Sequence, residues 1–209
     1  MPVDDRAFKL PGGSNFVIDW EGILREHGPA VWRTAYRLVA NRADADECFQ
    51  ETFADAVGLV RGNPQQPIRQ WKALLVKLAT ARAVDRLRQR VRRNSREDAG
   101  ADVAFQIDRT SHNRPPEQAE QAELSAALRI ALAHLPPKQA DVFCLHALEG
   151  WTYREVAEHL KMSVDDVGVS LHRARAALRE RLASIATAPS GQARLRPGTP
   201  RSGEVSHES

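Results

Sequence analysis

Six arginines, Arg82, Arg86, Arg88, Arg90, Arg92 and Arg93, crowd into one short segment in which Asp85 is the single acid. Spacings of four, four and three align Arg82, Arg86, Arg90 and Arg93 along one helix face, with Arg88 and Arg92 flanking. Guanidinium groups in a row suit the binding of phosphate oxygens. The plainer alternative is a solvated helix end whose cations sit well near the negative pole of the dipole. With Asp85 as sole counter-charge, the face repels itself unless a polyanion neutralises it. A second cluster has the opposite sign: Ala43 to Gly58 holds five acids and no base. Asp46, Glu47, Gln50, Glu51 and Asp55 fall opposite Phe49 and Phe53. Acids in a first turn complement the dipole, which accounts for Asp46 and Glu47 but not for Glu51 or Asp55. The other reading of that face is a docking surface for a cationic protein.

The third chemical feature lies between Leu135 and Leu182. After Pro136-Pro137 comes the apolar run Val142-Phe143-Cys144-Leu145, stopped by Gly150. Thr152 with Glu155 is a capping-box signature for a short helix ending near Leu160, and Ser163 with Asp166 repeats it for the next. Val167, Leu171, Ala174, Leu178 and Leu182 then form one apolar stripe. Two helices coupled by a three-residue turn describe a helix-turn-helix whose second member can enter a major groove. With the stripe inward, Asp165, Asp166, Val169, His172 and Arg173 point outward. Valine can touch a thymine methyl, a carboxylate can accept from cytosine, and Arg173 can pair with guanine. A helical hairpin that contacts protein is the competing explanation.

Catalytic and metal chemistry find no support in the sequence. Glu155-Val156-Ala157-Glu158-His159 lacks the second histidine of a zinc helix, and neither a glycine-rich phosphate loop nor a nucleophile elbow occurs. No cofactor or metal is expected, and the protein is not expected to be an enzyme. Cys48 and Cys144 lie apart inside apolar patterns, which fits neither a disulfide framework nor a metal site and suggests a reducing cytoplasm. No apolar run approaches the roughly 20 residues that span a bilayer, so a soluble protein without a membrane partner is expected.

The elements that must position these groups are helices. Charged residues at 27% and aromatics at 6% favour an all-α fold over a β-sandwich. A net charge of +3 hides the segregation of sign, which suggests two different partners. Residues 1–18 read as a mobile arm. Residues 19–93 read as a first helical domain, with Gly28-Pro29 as a break or kink and Asp44 with Glu47 as a cap. Within it, Arg61 to Pro67 is a loop, and a long helix runs from about Ile68 to Arg92. Residues 94–117 read as a flexible linker, 118–185 as a second domain, and 186–209 as a disordered tail. The expected architecture is thus two unrelated small helical bundles on a flexible tether.

These strings resemble one family, the bacterial RNA polymerase sigma factors of the extracytoplasmic-function (ECF) type, part of the sigma-70 family. Ala45-Asp46-Glu47-Cys48-Phe49-Gln50-Glu51-Thr52-Phe53 is similar to the family's polymerase-binding helix. Leu78-Ala79, Asp85 and Arg88 match its helix at the −10 promoter element. Leu135-Pro136-Pro137-Lys138-Gln139, Gly150 to Ala157 and Leu171 to Arg175 with Leu178 match region 4. The resemblance covers about residues 20–93 and 118–183. It implies that Asp46, Glu47, Gln50 and Glu51 face the polymerase. Asn63, Gln65, Arg82, Asp85, Arg86, Arg88 and Arg90 would contact the −10 element. Ser163, Asp165, Asp166, Val169, His172, Arg173 and Arg175 would contact the −35 element.

Implied partners are core RNA polymerase, promoter duplex and the opened −10 strand, with an anti-sigma factor as a further partner class. A stand-alone helix-turn-helix regulator is the alternative. Several positions depart from the family pattern. Leu74 stands where a tryptophan is usual, with Trp71 one turn earlier, and Ala81 replaces a DNA-contacting asparagine. The Arg61–Pro67 loop lacks an aromatic, leaving Asn63, Gln65 or Gln66 to hold a flipped base by polar contacts. Lys161 replaces a turn glycine. Gly168, Val169 and Ser170 stand where basic residues are common, which shifts readout toward His172 and Arg173.

Overall fold

A computed structural model describes residues 18–63, 67–97 and 116–187. The expected arm up to residue 17, Gln65, Gln66, the linker from 98 to 115 and the tail from 188 lie outside the described residues. Every described element is helical: α1 (Trp20–Val39), α2 (Arg42–Gly62), α3 (Trp71–Glu97), α4 (Pro116–Ala133), α5 (Pro137–Phe143), a π-helical turn (Cys144–Leu148), α6 (Tyr153–Leu160) and α7 (Val164–Thr187).

Local chemistry sets most of the boundaries. Asp19 caps α1, its carboxylate accepting from the Gly22 amide at 2.8 Å. Of the break or kink expected at Gly28-Pro29, the break does not occur, because α1 runs through both residues. Val31, Ala35 and Leu38 are buried on one face beyond the proline, and Gly28 lies against the Phe49 ring. Packing on both sides of Pro29 outweighs the missing hydrogen bond. Ala40 in the left-handed region ends α1, and Asn41, not the Asp44–Glu47 pair, caps α2 by accepting from the Asp44 amide at 3.0 Å. Helix α3 begins at Trp71, where the indole meets Trp20 edge-on with ring centroids 5.4 Å apart. It continues past Arg92 to Glu97.

In the second half both predicted caps form. Thr152 and Glu155 make the full capping box, and Ser163 with Asp166 makes its counterpart at α7. Between α6 and α7, Lys161 takes the left-handed conformation (φ 53°, ψ 54°) that a glycine would adopt without a Cβ penalty. The apolar run after α5 closes as a π-turn: the Glu149 amide donates to the Cys144 carbonyl five residues back. Gly150, at φ 75°, turns the chain toward Trp151, whose amide donates to the Leu145 carbonyl.

The two halves, expected to be independent bundles, share a core. One buried cluster joins Ala35, Leu38, Cys48 and Val84 of the first half to Leu132, Leu135, Ala140, Cys144, Ala174 and Leu178 of the second. Val76 of α3 reaches into the second cluster, among Val142, Leu145, Val156, Val167 and Leu171. Helix α3 touches every other α-helix except α7 in substantial contact, which makes it the axle of the molecule. Among the described residues no helix is long and apolar enough to cross a membrane.

Asp141 of α5 faces α3 beside Arg88, Lys77 and Asp85. Burial pushes its carboxyl up to about 6, and Arg88 offsets that only in part. The sign follows from linkage. Above pH 6 the group is ionised in both folded and unfolded chains, so the folded state carries the full cost of the buried charge. As pH falls from 6 toward the ordinary value near 4, protonation of the folded form removes that cost. Asp141→Asn should therefore stabilise the protein by about 1–2 kcal/mol at pH 7.5. The gain over wild type should vanish by pH 4, as read from paired thermal melts at both pH values.

Candidate functional site

Helices α2 and α3 lie side by side, and their charges interlock. Arg82 donates twice to Asp55, at 2.6 Å from Nε and 2.5 Å from Nη2, and stands 3.7 Å from Glu51. Arg86 pairs with Glu47 at 2.8 Å and with Glu51 at 3.5 Å. Arg90 pairs with Asp44 and donates to the Val39 carbonyl at 3.2 Å. The hydrogen bond that Arg82 donates to Asp55 holds its guanidinium even more firmly protonated than usual, as the one to Glu47 does for Arg86.

This corrects the premise that Asp85 is the arginine face's only counter-charge. The acids that Ala43–Gly58 has in excess are the counter-charges, brought in by the fold. Asp85 is mostly exposed and pairs instead with Arg88 at 2.8 Å. Arg88 then turns its other nitrogen onto the Leu135 carbonyl at 3.0 Å. Of the cations on α3, those in open solvent are Lys72, Arg92, Arg93 and Arg96.

The acidic face divides accordingly. Glu47 and Glu51 lean on Arg86, whereas Gln50 is exposed. Asp46 is exposed at its rim, accepts a 2.7 Å hydrogen bond from the Trp32 indole and lies 4.0 Å from Arg42. The indole is itself stacked on Tyr36, with centroids 4.9 Å apart and planes 8° from parallel. Trp32 is a site residue that sequence reasoning missed, since nothing local links positions fourteen apart on different helices. Asn63 caps the end of α2 and is exposed there.

On α7 the stripe lies where the spacing puts it. Val167, Leu171, Ala174 and Leu178 are buried, while Asp165, Val169, His172, Arg173 and Arg175 are exposed. Val169 keeps 49% of its surface in solvent. Two of the predicted contacts are already engaged. The Ser163 hydroxyl accepts from the Asp166 amide at 3.0 Å, and the Asp166 carboxylate faces the Ser163 amide at 3.4 Å. Those bonds hold the Asp166 carboxyl below its ordinary range. A carboxylate so occupied is a cap, which leaves Asp165 as the free acid of the first turn.

The cysteines are inert. Burial raises the Cys48 thiol to about 11 and the Cys144 thiol to about 12, so neither forms a thiolate near neutral pH. Among the described residues no group of His, Cys, Asp and Glu is arranged to hold a metal.

A charged bundle joined to a helix-turn-helix with an open outer face defines a DNA-binding protein. Comparison with known proteins specifies which. Residues 23–93 match Sigma-70 region 2, and residues 125–178 match Sigma-70, region 4. The chain is 31% identical over 184 residues to the ECF RNA polymerase sigma factor SigE of Mycolicibacterium smegmatis, covering 87% of this chain and 68% of that one. It is 30% identical over 161 residues to the ECF RNA polymerase sigma factor SigL of Mycobacterium tuberculosis, covering 74% and 83%. A solved structure of the sigma factor RpoE in complex with the anti-sigma factor NepR, from Bartonella quintana, matches with a TM-score of 0.47 at 20% identity, covering 79% of this chain and 97% of that one. The chain belongs to the ECF group of the sigma-70 family. It is a sigma factor that directs RNA polymerase to promoters, a regulatory role and not a catalytic one. A stand-alone regulator would have no use for region 2.

The pairing of α2 with α3 generates a stability test. Arg86 is 17% exposed and bonded to two carboxylates. Arg86→Gln should lower stability by about 1–2 kcal/mol, because partly buried charged partners are left behind. A solvated arginine waiting only for DNA would leave the urea midpoint unmoved.

Proposed function

We propose that the three charged surfaces divide the work of promoter recognition. The exposed rim of α2, with Asp46, Glu47, Gln50 and Glu51, meets the polymerase. The outer face of α3 holds the −10 region. The outer face of α7, with Asp165, Val169, His172, Arg173 and Arg175, meets the −35 element. The observation that carries this proposal is the exposed Val169-His172-Arg173 face on a helix whose opposite face is fully buried. A helix held so firmly on one side presents a rigid edge to a groove. Region 2 spans residues 19–93 and region 4 spans 118–185 in this assignment. We place the protein in the cytoplasm, with an anti-sigma factor as a further partner class.

Within α3 the roles differ from residue to residue. Arg82, Arg86 and Arg90 steady the acids of α2 and lend the face positive potential, whereas Arg92 and Arg93 stand free to lie along phosphates. The −10 contacts of Asn63, Gln65, Asp85 and Arg88 complete the set. Neither region need bind tightly alone, since tethering raises the local concentration of the second contact.

Two experiments test the assignment. Asp46→Asn with Glu47→Gln keeps an oxygen for the Trp32 indole and removes both charges. The double variant should bind core polymerase at least about tenfold more weakly, the loss of roughly 1.4 kcal/mol, in a titration where its melting temperature stays within a few degrees of wild type. Unchanged polymerase affinity would return these acids to a purely structural role. For the −35 element, Arg173→Ala should relax preference at one base pair, a discrimination worth roughly 1–3 kcal/mol when the contact is bidentate. Selection from randomised −35 sequences checks it, and identical enriched motifs for wild type and variant would show that Arg173 reads no base.

A further inference from the structure

The acids assigned to the polymerase rim of α2 are held in different ways. Glu47 and Glu51 lean on the Arg86 guanidinium, at 2.8 and 3.5 Å, which fixes them and cancels part of their charge. Asp46 is held by a neutral donor instead. The Trp32 indole Nε1 donates to its Oδ1 at 2.7 Å, a length typical of bonds to ionised acceptors. An indole offers one donor and no charge, so it fixes the carboxylate and leaves the full negative charge in place. The second oxygen, Oδ2, stands 4.0 Å from the Arg42 Nε, too far for a hydrogen bond. The Arg42 side chain is 87% exposed, and a pair so solvated holds little. Trp32 is itself immobilised. It packs on the edge of the core cluster that contains Leu38 and Cys48. Tyr36, one turn along α1, stacks on its ring with centroids 4.9 Å apart.

We propose that Trp32 is a positioning residue for polymerase binding: it aims the Asp46 carboxylate so that Oδ2 meets a cationic side chain of the polymerase. This role rests on the α2 rim being the polymerase surface, and it adds how one acid there is made ready. A carboxylate on a mobile aspartate loses rotamer freedom when a partner fixes it, and that loss subtracts from affinity. Here the freedom is lost during folding, as α1 and α2 pack, because donor and acceptor come from different helices fourteen positions apart. A guanidinium in place of the indole would fix the side chain as well, but it would compete with the polymerase cation for the same charge. A neutral aromatic donor therefore suits an acid whose charge is meant for a partner. Removing that donor should weaken binding about three- to tenfold, the range of one freed side chain.

The test titrates core polymerase with variants of the full chain. Trp32→Phe keeps a ring to stack on Tyr36 and cover the core, and it removes the donor. It should bind about three- to tenfold more weakly, and Asp46→Ala more weakly still. In the Asp46→Ala background the same Trp32→Phe change should have no further effect, since nothing is left to aim. Equal losses in both backgrounds would show that the ring touches polymerase or supports the fold by itself, and would overturn the positioning role. Benzothienylalanine at position 32 keeps the bicyclic shape and puts sulfur in place of the N–H. It should reproduce the Trp32→Phe loss at an unchanged melting temperature, and wild-type affinity for it would also overturn the role. The two levels fail differently. If Asp46→Ala binds polymerase as wild type does, the acidic rim is not the docking surface and the positioning role falls with it. If Asp46→Ala is weakened while both indole replacements bind normally, the rim stands and Trp32 does not aim it.

Discussion

Arginines repeated along one helix face repel one another unless negative charge lies beside them, and here α2 supplies it. The ladder from Asp44–Arg90 through Glu47–Arg86–Glu51 to Arg82–Asp55 runs the length of the α2–α3 contact. It works because the pairs are partly shielded and share partners. Arg86 sits between two carboxylates, so fixing one side chain serves two bonds. Isolated surface pairs are worth little, and a connected series on a buried seam is worth more. With α2 and α3 aligned, Ala83, Val84 and Leu87 meet the buried faces of the neighbouring helices. The polar groups left exposed in region 2, Asp46 and Gln50 on one rim and Arg92 and Arg93 on another, face outward.

The same constraint explains why the halves come together. Once the acids of α2 have taken Arg82, Arg86 and Arg90, the cations left on the opposite side of α3 and on α1 need other acceptors. Helix C-termini of region 4 are the anionic groups available without adding an acid. In region 4, Glu155 and Asp166 stand at helix starts, where they are occupied as caps, while Glu149 pairs with Arg37 and Asp141 lies beside Arg88. Beside those carboxylates, arginine and lysine also reach backbone carbonyls of this half, at Leu135, Leu148 and His159. These charge-assisted hydrogen bonds lie beside the apolar core that the two halves share.

Much of this was legible in the residues, and the parts that were not share a cause. The α7 stripe, the Thr152–Glu155 and Ser163–Asp166 caps and the helical class follow from spacings within a few residues, where geometry is fixed by the 3.6 period. Asn41 was also legible: Asn41 with Asp44 carries the same three-residue signature, and the acidic pair farther on drew attention from it. The π-turn after Phe143 leaves no periodic signal, because one inserted residue in a helix only rotates the stripe that follows. Pro29 misled in the other direction, since its penalty is local and the packing that outweighs it comes from other helices. The arginine ladder was half visible. Charge segregation marked the right residues and two external partners, but not the internal pairing that the fold adds between them.

That outcome changes how residues at such interfaces are to be understood. A charge can hold the fold and serve the partner at once only if the two uses differ in direction. Asp46 illustrates it: one oxygen accepts from the Trp32 indole, while the carboxylate still shows an open edge to solvent. Asp166 is turned inward instead: one oxygen of its carboxylate closes back on the Ser163 amide at its own helix start. Asp165, one position earlier, has no such bond and points away from the cap. On the proposed docking of α7, a carboxylate in that place would repel phosphates and could accept from a cytosine amine. Beside it, Val169 adds a methyl-sized apolar contact and Arg173 a forked donor. The first two turns of α7 thus expose one carboxylate, one apolar side chain and one guanidinium, on the side away from a stripe of four buried residues.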